Sequence, residues 1–203
     1  VKRKREEGKW KQVEAYDAGD LAAWLNFAPA TLTWLSVALG KQPRGVRDLE
    51  QEWLNWSEIT KPPISVDLVL AGRDEAEAAI QAWLNDDVAE HLSVQADSQE
   101  DAFAVFAAST LRLPEEKREC ILAKLVVISD RDVWDQVAGS QSPLILVSLL
   151  NDPRAVAQAR RSGHRVFVPL GATDRATDDV VPAGKISRHR ASEALREAGF
   201  PSD

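Results

Sequence analysis

The residues whose types and spacing could do chemistry lie in two short polar segments, each of which follows an apolar run. The first comes after HLSVQ and contains Asp97, Ser98, Gln99, Glu100 and Asp101. The second begins at Asp130, after LVVIS. A strand, a short loop and then a helix is the order in which backbone N–H groups are presented to a phosphate. The loop residues therefore decide whether this chain binds a nucleotide.

The first loop, Ala96–Asp101, lacks the residues that phosphate binding requires. Loops of the form GxxxxGK followed by Ser or Thr use glycines to bring N–H groups around the phosphates and a lysine to neutralise them. This loop has no glycine and no lysine, and its three acids would repel a triphosphate. We predict that it does not support ATP hydrolysis. Ser98 is instead expected to cap a helix whose first turn contains Glu100 and Asp101.

Two roles are open to Asp130. It ends an apolar run, where nucleotide-hydrolysing enzymes keep the acid associated with magnesium, and would then be a Walker B-like residue. It also precedes DVWDQV, where an Asp commonly caps a helix. Capping is the preferred interpretation, because any strand followed by a helix can use Asp in this way.

Two further chemistries are alternatives. Asp97, Asp101 and Asp130, which are expected at adjacent strand ends, could bind magnesium and support a metal-dependent nuclease or an unconventional NTPase. A DNA-binding surface is the second alternative, and it would use the following cations: Arg154, Arg160, Arg161, Arg165 and His164. For that surface His164, which follows Gly163, is expected in a solvent-accessible turn.

Composition narrows the class of protein. The chain has 203 residues, of which 44% are hydrophobic and 28% charged, and its net charge of −7 argues against a general binder of nucleic acids or membrane surfaces. Its single cysteine excludes an internal disulfide and favours the cytoplasm. No apolar run reaches the roughly 18 residues of a membrane helix. Because the chain has no methionine and begins at Val1, we expect it to be a piece of a longer protein.

Lys61-Pro62-Pro63 is predicted to separate two regions of different pattern. Residues 1–60 are predicted to form a short strand at Lys9–Tyr16 and then three helices, one after Asp17, one at Pro29–Gly40 and one from Val46. Four of the seven tryptophans lie between Trp24 and Trp56. A simple helical core is the preferred interpretation, and the alternative is that these helices pack onto a partner surface, either the second half of this chain or a missing N-terminal domain. Residues 186–203 are predicted to begin a C-terminal helical region.

Residues 64–185 are predicted to form a three-layer α/β domain with about four parallel strands, because several runs are apolar on both faces. The predicted strands are His91–Gln95, Lys124–Ser129, Leu144–Ser148 and Arg165–Val168. The predicted helices are Asp74–Leu84, Gln99–Leu111, Asp130–Val137 and Pro153–Arg161. The segment GATDRATDDVVPAGKIS is predicted to be a loop.

These features resemble a known family. The segment VLAGRDEAEAAIQAWL, with Gly72 and Arg73, resembles the entry to the P-loop in STAND-type NTPases. LSVQADSQEDAFAVFAAS is similar to their first strand, loop and helix with a degenerate Walker A motif, and GHRVFVPL resembles a later part of the same module. Upstream, LEQEWLNWSEITKPP resembles the stretch after a restriction-endonuclease-like domain in bacterial multidomain proteins that act against phage.

The resemblance implies an architecture and a role, without nucleotide chemistry. It suggests a regulatory or protein-interaction module in a cytoplasmic protein, lying between an effector, such as an N-terminal nuclease, and a recognition region. Since the lysine and the glycines are absent, we expect a pseudoenzyme that needs neither ATP nor magnesium as a cofactor. Neighbouring domains of the parent protein are the expected partners, with no membrane involved.

Overall fold

The computed structural model describes residues 16–26, 28–41, 43–150, 152–175 and 180–198. Within them the strands are β1 (Val46–Arg47), β2 (His91–Gln95), β3 (Leu125–Ile128), β4 (Ile145–Ser148), β5 (Arg165–Leu170) and β6 (Val180–Pro182). The helices are α1 (Ala18–Asn26), α2 (Pro29–Ala38), α3 (Leu49–Ser57), α4 (Val66–Leu70), α5 (Asp74–Asn85), α6 (Gln99–Leu111), α7 (Glu115–Leu122), α8 (Arg131–Val137), α9 (Pro153–Arg161) and α10 (Arg188–Glu197). Of the strand predicted at Lys9–Tyr16, all but Tyr16 lies outside the described residues.

The strands form one mostly parallel sheet in the order β1-β3-β4-β5-β2-β6. Strands β2 to β6 pair in parallel, whereas β1 pairs antiparallel with β3 at one edge. This confirms the predicted α/β class. β2 lies inside the sheet, between β5 and β6. Parallel α/β proteins bind ligands at the carboxyl ends of their strands, so the carboxyl end of β2 is where a ligand site is expected.

Apolar side chains alternate between the two faces of the sheet. Val127 and Phe167 belong to one core cluster, which also contains residues of α3, α5 and α6. Val126 and Val166 belong to a second cluster, which contains residues of α2, α8 and α9. Helices therefore cover both faces, which explains why the strands are apolar on both sides.

Helix α6 is buried almost all round. Every residue from Ala102 to Thr110 is buried, and the hydroxyls of Ser109 and Thr110 donate to carbonyls one turn back, at 2.7 and 2.9 Å. Its many alanines let the sheet and neighbouring helices approach closely, and the two hydroxyls meet their hydrogen-bonding needs within the helix. Burial fixes α6 in position, and its N-terminus is fixed with it.

Three segments differ from the predictions. The helix predicted from Val46 begins at Leu49, because the Asp48 side chain accepts the N–H of Gln51 at 2.7 Å and caps it there. Val46 instead pairs with Ile128 in β1. The predicted loop after residue 170 contains β6, and α7 forms in a segment for which we predicted no element.

Residues on both sides of Lys61-Pro62-Pro63 contribute to one core. Leu49 and Trp53 of α3 lie in the same cluster as Ile80 of α5 and Phe106 of α6. One core cluster therefore contains residues from both sides of the predicted boundary.

No single helix among the described residues is long and apolar enough to cross a membrane. The bent pair Ala18–Leu25 and Pro29–Ala38 meets the length and composition only when its two helices are taken together, with a bend of 120° between them.

Candidate functional site

The loop between β2 and α6 is short and closed by its own hydrogen bonds. Only Ala96, Asp97 and Ser98 separate the strand from the helix. The hydroxyl of Ser98 accepts the N–H of Asp101 at 3.1 Å, so Ser98 caps α6 as predicted. The N–H of Ala96 donates to the carbonyl of Leu170 in β5 at 3.0 Å. A three-residue loop tied to the next strand has too little backbone to surround a phosphate chain.

A turn from β5 covers the same edge of the sheet. Gln95 Nε2 donates to the carbonyl oxygen of Gly171 at 3.1 Å, and Gln99 Nε2 to that of Pro169 at 3.4 Å. A Cβ added at Gly171 would lie 3.4 Å from the backbone nitrogen of Gln99, so the turn packs directly against the start of α6. Protein groups therefore occupy the space beside the helix N-terminus.

Arg73 and Asp101 form a bidentate ion pair at this N-terminus. Arg73 Nη1 and Nη2 donate to the two carboxylate oxygens of Asp101 at 2.8 and 2.7 Å. The Arg73 side chain is 4% exposed and that of Asp101 25%. Two parallel charge-assisted bonds of this length are among the stronger polar contacts in proteins. The structure thus joins two motifs that the sequence presents 28 residues apart.

The turn that carries Arg73 also holds the last helix. Gly72 has φ +84°, and a Cβ there would lie 2.6 Å from the Cβ of Ser187. The N–H of Ser187 donates to the carbonyl of Ala71 at 2.8 Å. Asp74 adds an exposed ion pair with Arg190 of α10, at 2.5 Å. We call the residues Gly72, Arg73 and Asp101 the clamp, because they tie the starts of α5, α6 and α10 together.

Asp130 lies elsewhere and caps α8. Its Oδ1 accepts the N–H groups of Asp132 and Val133 at 2.9 and 3.1 Å. A Cβ at Gly45 would lie 2.1 Å from that of Asp130, and the Ser129 N–H donates to the Gly45 carbonyl at 2.9 Å. The turn at Gly45 therefore packs against the end of β3.

The geometry does not support the alternative in which Asp97, Asp101 and Asp130 bind magnesium together. β4 and β5 lie between the strands that precede these acids, so the strand ends are about 14 Å apart at three interstrand spacings. Across the described ranges, no group of three or more His, Cys, Asp or Glu side chains is arranged to hold a metal ion. The error came from treating strands that are successive in the sequence as neighbours.

The DNA-binding surface, which was the second alternative, also loses two of its members. His164 is 1% exposed, not solvent-accessible; its Nδ1 accepts the Leu144 N–H at 3.2 Å and its Nε2 donates to the Ala138 carbonyl at 3.1 Å. Burial lowers the pKa of His164, although the bond to Ala138 opposes the shift. Arg165 donates to the carbonyls of Trp83 and Ala89 and lies 4.3 Å from the centre of the Trp83 ring. Neither side chain is available to a phosphate backbone.

Sequence reasoning missed Gln95 and Gly171, which close this end of the sheet together with the predicted loop residue Gln99. A polar residue in the last position of a buried strand, as Gln95 is, was the available signal. Its partner lies 76 residues away, so the contact itself had no local signature.

Comparison of the chain with models of protein families, with curated proteins and with solved structures found no match in any of the three. The function is therefore inferred from the geometry at the carboxyl ends of the strands.

Proposed function

We propose that this chain is a non-catalytic, NTPase-like module that regulates or binds neighbouring domains within a larger cytoplasmic protein of bacterial defence. The observation that carries the proposal is the closed β2–α6 loop. The order of strand, loop and helix typical of nucleotide-binding proteins is present, yet protein groups lie where phosphates would bind. The fold is thus suited to holding its helices in place rather than to turning over a nucleotide.

Electrostatics at the start of α6 supports the same proposal. A helix N-terminus attracts anions through its free N–H groups and its dipole. Here Ser98 accepts one of those N–H groups, and Glu100 and Asp101 place two carboxylates in the first turn. The nearby cation, Arg73, is already paired with Asp101. A triphosphate would meet negative charge and no free guanidinium at this point.

An exposed apolar surface on α1 and α2 supports the interaction role. Trp24 and Trp34 are 58% and 59% exposed, and Leu21 and Leu39 are 49% and 66% exposed. Tryptophan is enriched at the centres of protein interfaces, because one ring buries much apolar area at little entropic cost. We propose that this surface contacts a neighbouring domain of the parent protein, such as a nuclease effector.

Nuclear magnetic resonance tests the central claim at the residues concerned. The amides of Ala96–Asp101 and Gly171 are assigned in a ¹⁵N-labelled sample, and ATP with magnesium is then added to millimolar concentration. We expect these amide resonances not to shift. GTP with magnesium, and magnesium alone, serve as parallel titrations.

Saturable shifts that centre on Ala96–Asp101 would overturn the proposal. Because the measurement is specific to this loop, binding of a nucleotide elsewhere on the chain does not count against it.

A further inference from the structure

A cleft lies at the amino-terminal ends of β3, β4 and β5, which is the end of the sheet opposite to the β2–α6 loop. Its volume is about 530 Å³, within the range of small-molecule sites. The end of α5, the outer face of α7 and the turn at Gly163 surround it. It shares no residue with the clamp or with the closed β2–α6 loop.

The inner wall of this cleft is apolar. Leu84, Ile121, Leu144 and Ile145 line it, and each of them is at most 7% exposed. These side chains come from α5, α7 and the start of β4, so the wall is fixed by the core on which all three elements pack. An apolar or aromatic group of a ligand would be desolvated there.

The lining also carries excess positive charge. Three cations line the cleft against one carboxylate, that of Asp87, and they are Lys117, Lys124 and Arg165. Since Arg165 already donates to two backbone carbonyls, the two lysines supply the charge that is available to a ligand. Asp87 is fully exposed, with its Oδ1 3.9 Å from Arg165 Nη1. In the part of the chain that the structure describes, neither lysine ammonium has a hydrogen-bond or ion-pair partner. In a chain of net charge −7, this cluster stands out as a local site for an anion.

We propose that this cleft binds a small amphipathic anion, that is, an apolar or aromatic body that carries a phosphate or a carboxylate. The body packs on the apolar wall formed by Leu84, Ile121 and Leu144, and the anionic group lies between Lys117 and Lys124. The proposal is independent of the β2–α6 loop, which lies at the other end of the strands.

Cys120 provides a site-specific reporter of occupancy. It is the only cysteine of the chain, it is exposed, and it lines the cleft. The probe is 1-anilinonaphthalene-8-sulfonate, which combines an aromatic body with an anionic group. Alkylation of Cys120 by neutral iodoacetamide is followed by mass spectrometry. With the probe at ten times its Kd, we expect alkylation to slow about tenfold, because the free fraction of sites falls by that factor.

Charge-neutralising variants test the role of the lysines. Lys117→Gln and Lys124→Gln are each expected to weaken probe binding about fivefold, the effect of losing one unit charge at close range in water. Lys41→Gln, at a lysine outside the lining of this cleft, is the matched control and should leave the affinity unchanged. Equal affinities for all three variants and the unsubstituted chain would overturn the proposal.

Competition identifies the anionic group. Adenosine monophosphate and octanoate are each titrated against the bound probe, and displacement by either one, with protection of Cys120, supports the proposal and assigns the head group. Failure of both compounds to displace the probe would overturn it. Equal protection by the uncharged analogue N-phenyl-1-naphthylamine would overturn it as well, since the cleft would then be only apolar.

Discussion

Removing the carboxylate of Asp101 should destabilise the protein more than an ordinary surface substitution. In Asp101→Ala, the Arg73 guanidinium keeps its charge but loses both hydrogen-bond partners, and its side chain is only 4% exposed. Leaving one member of a buried ion pair uncompensated typically costs about 3–5 kcal/mol. The 25% exposure of Asp101 lets water reach the pair, so the lower end, about 3 kcal/mol, is expected.

The converse substitution should cost less. In Arg73→Met the carboxylate of Asp101 remains in the first turn of α6, where the helix dipole favours a negative charge. Its exposure allows water to replace the guanidinium, and methionine keeps much of the apolar stem of the arginine. We therefore expect a loss of about 1–2 kcal/mol, which is smaller than for Asp101→Ala. The double variant should recover part of the sum, because the uncompensated charge is gone.

Urea denaturation measures all three free energies of unfolding, with the buried Trp83 and Trp134 as fluorescent reporters. Arg190→Gln is the matched control, since its pair with Asp74 is exposed on both sides and such pairs contribute little to stability. The reasoning fails if Asp101→Ala costs no more than Arg190→Gln. It also fails if the two single losses in the clamp simply add.

Three further substitutions probe other parts of the structure. Gly72→Ala should cost more than Gly163→Ala in urea denaturation. Both glycines have φ +84°, and an alanine in that conformation costs about 1 kcal/mol at either position. Of the two, only Gly72 has described atoms within 4 Å of the added Cβ. Because burial lowers the pKa of His164 below its ordinary 6.5, the free energy of unfolding should fall as pH drops below about 6.5, by at most about 1.4 kcal/mol per pH unit. Replacing Trp24 and Trp34 together with serine should weaken association with a neighbouring domain supplied separately, because each ring is more than half exposed and would be covered by the partner.

The pH dependence has a control variant, and both it and the tryptophan variant have an outcome that would contradict them. For the pH dependence, the sign follows because the unfolded chain binds the proton that the buried, neutral imidazole rejects. His189→Gln, at a side chain that is 82% exposed, is the matched control. A flat profile between pH 6.5 and 5 for the unsubstituted chain would contradict the role given to His164. A large loss of stability in the double tryptophan variant would show that α1 and α2 use these rings in the core.

Local signals were sufficient for most of the elements. The bounds of β2, α6 and α9 match the predictions at both ends. Each element has a local signal: an apolar run for β2, an N-terminal cap for α6 and a proline in the first turn for α9. The short strand β6 was missed since three residues that end in proline carry little periodicity, and its pairing with β2 depends on a partner more than 80 residues away. The sequence likewise could not show that β4 and β5 separate β3 from β2.

The site divides in the same way. Ser98 and Asp130 were predicted as caps, and both accept backbone N–H groups of the helices that they precede. Arg73 was singled out only as part of an entry motif, and its partner could not be named, since an ion pair between two distant segments leaves no spacing to detect. His164 was placed in solvent because a histidine after glycine suggests a turn. The chain does turn at Gly163, but the side chain of His164 points inward to two backbone groups.

The clamp gives a physical reason why acids are tolerated where a phosphate would otherwise bind. A loop that holds a triphosphate must keep its helix N-terminus open, and the positive charge near it must be unpaired. Here Asp101 neutralises Arg73, and Arg73 in turn holds the start of α6 against the turn on which Ser187 and α10 pack. A displacement of α10 would therefore move the turn at Gly72, and the buried Arg73 would transmit that movement to the start of α6. Such a linkage would serve the regulatory role that we propose.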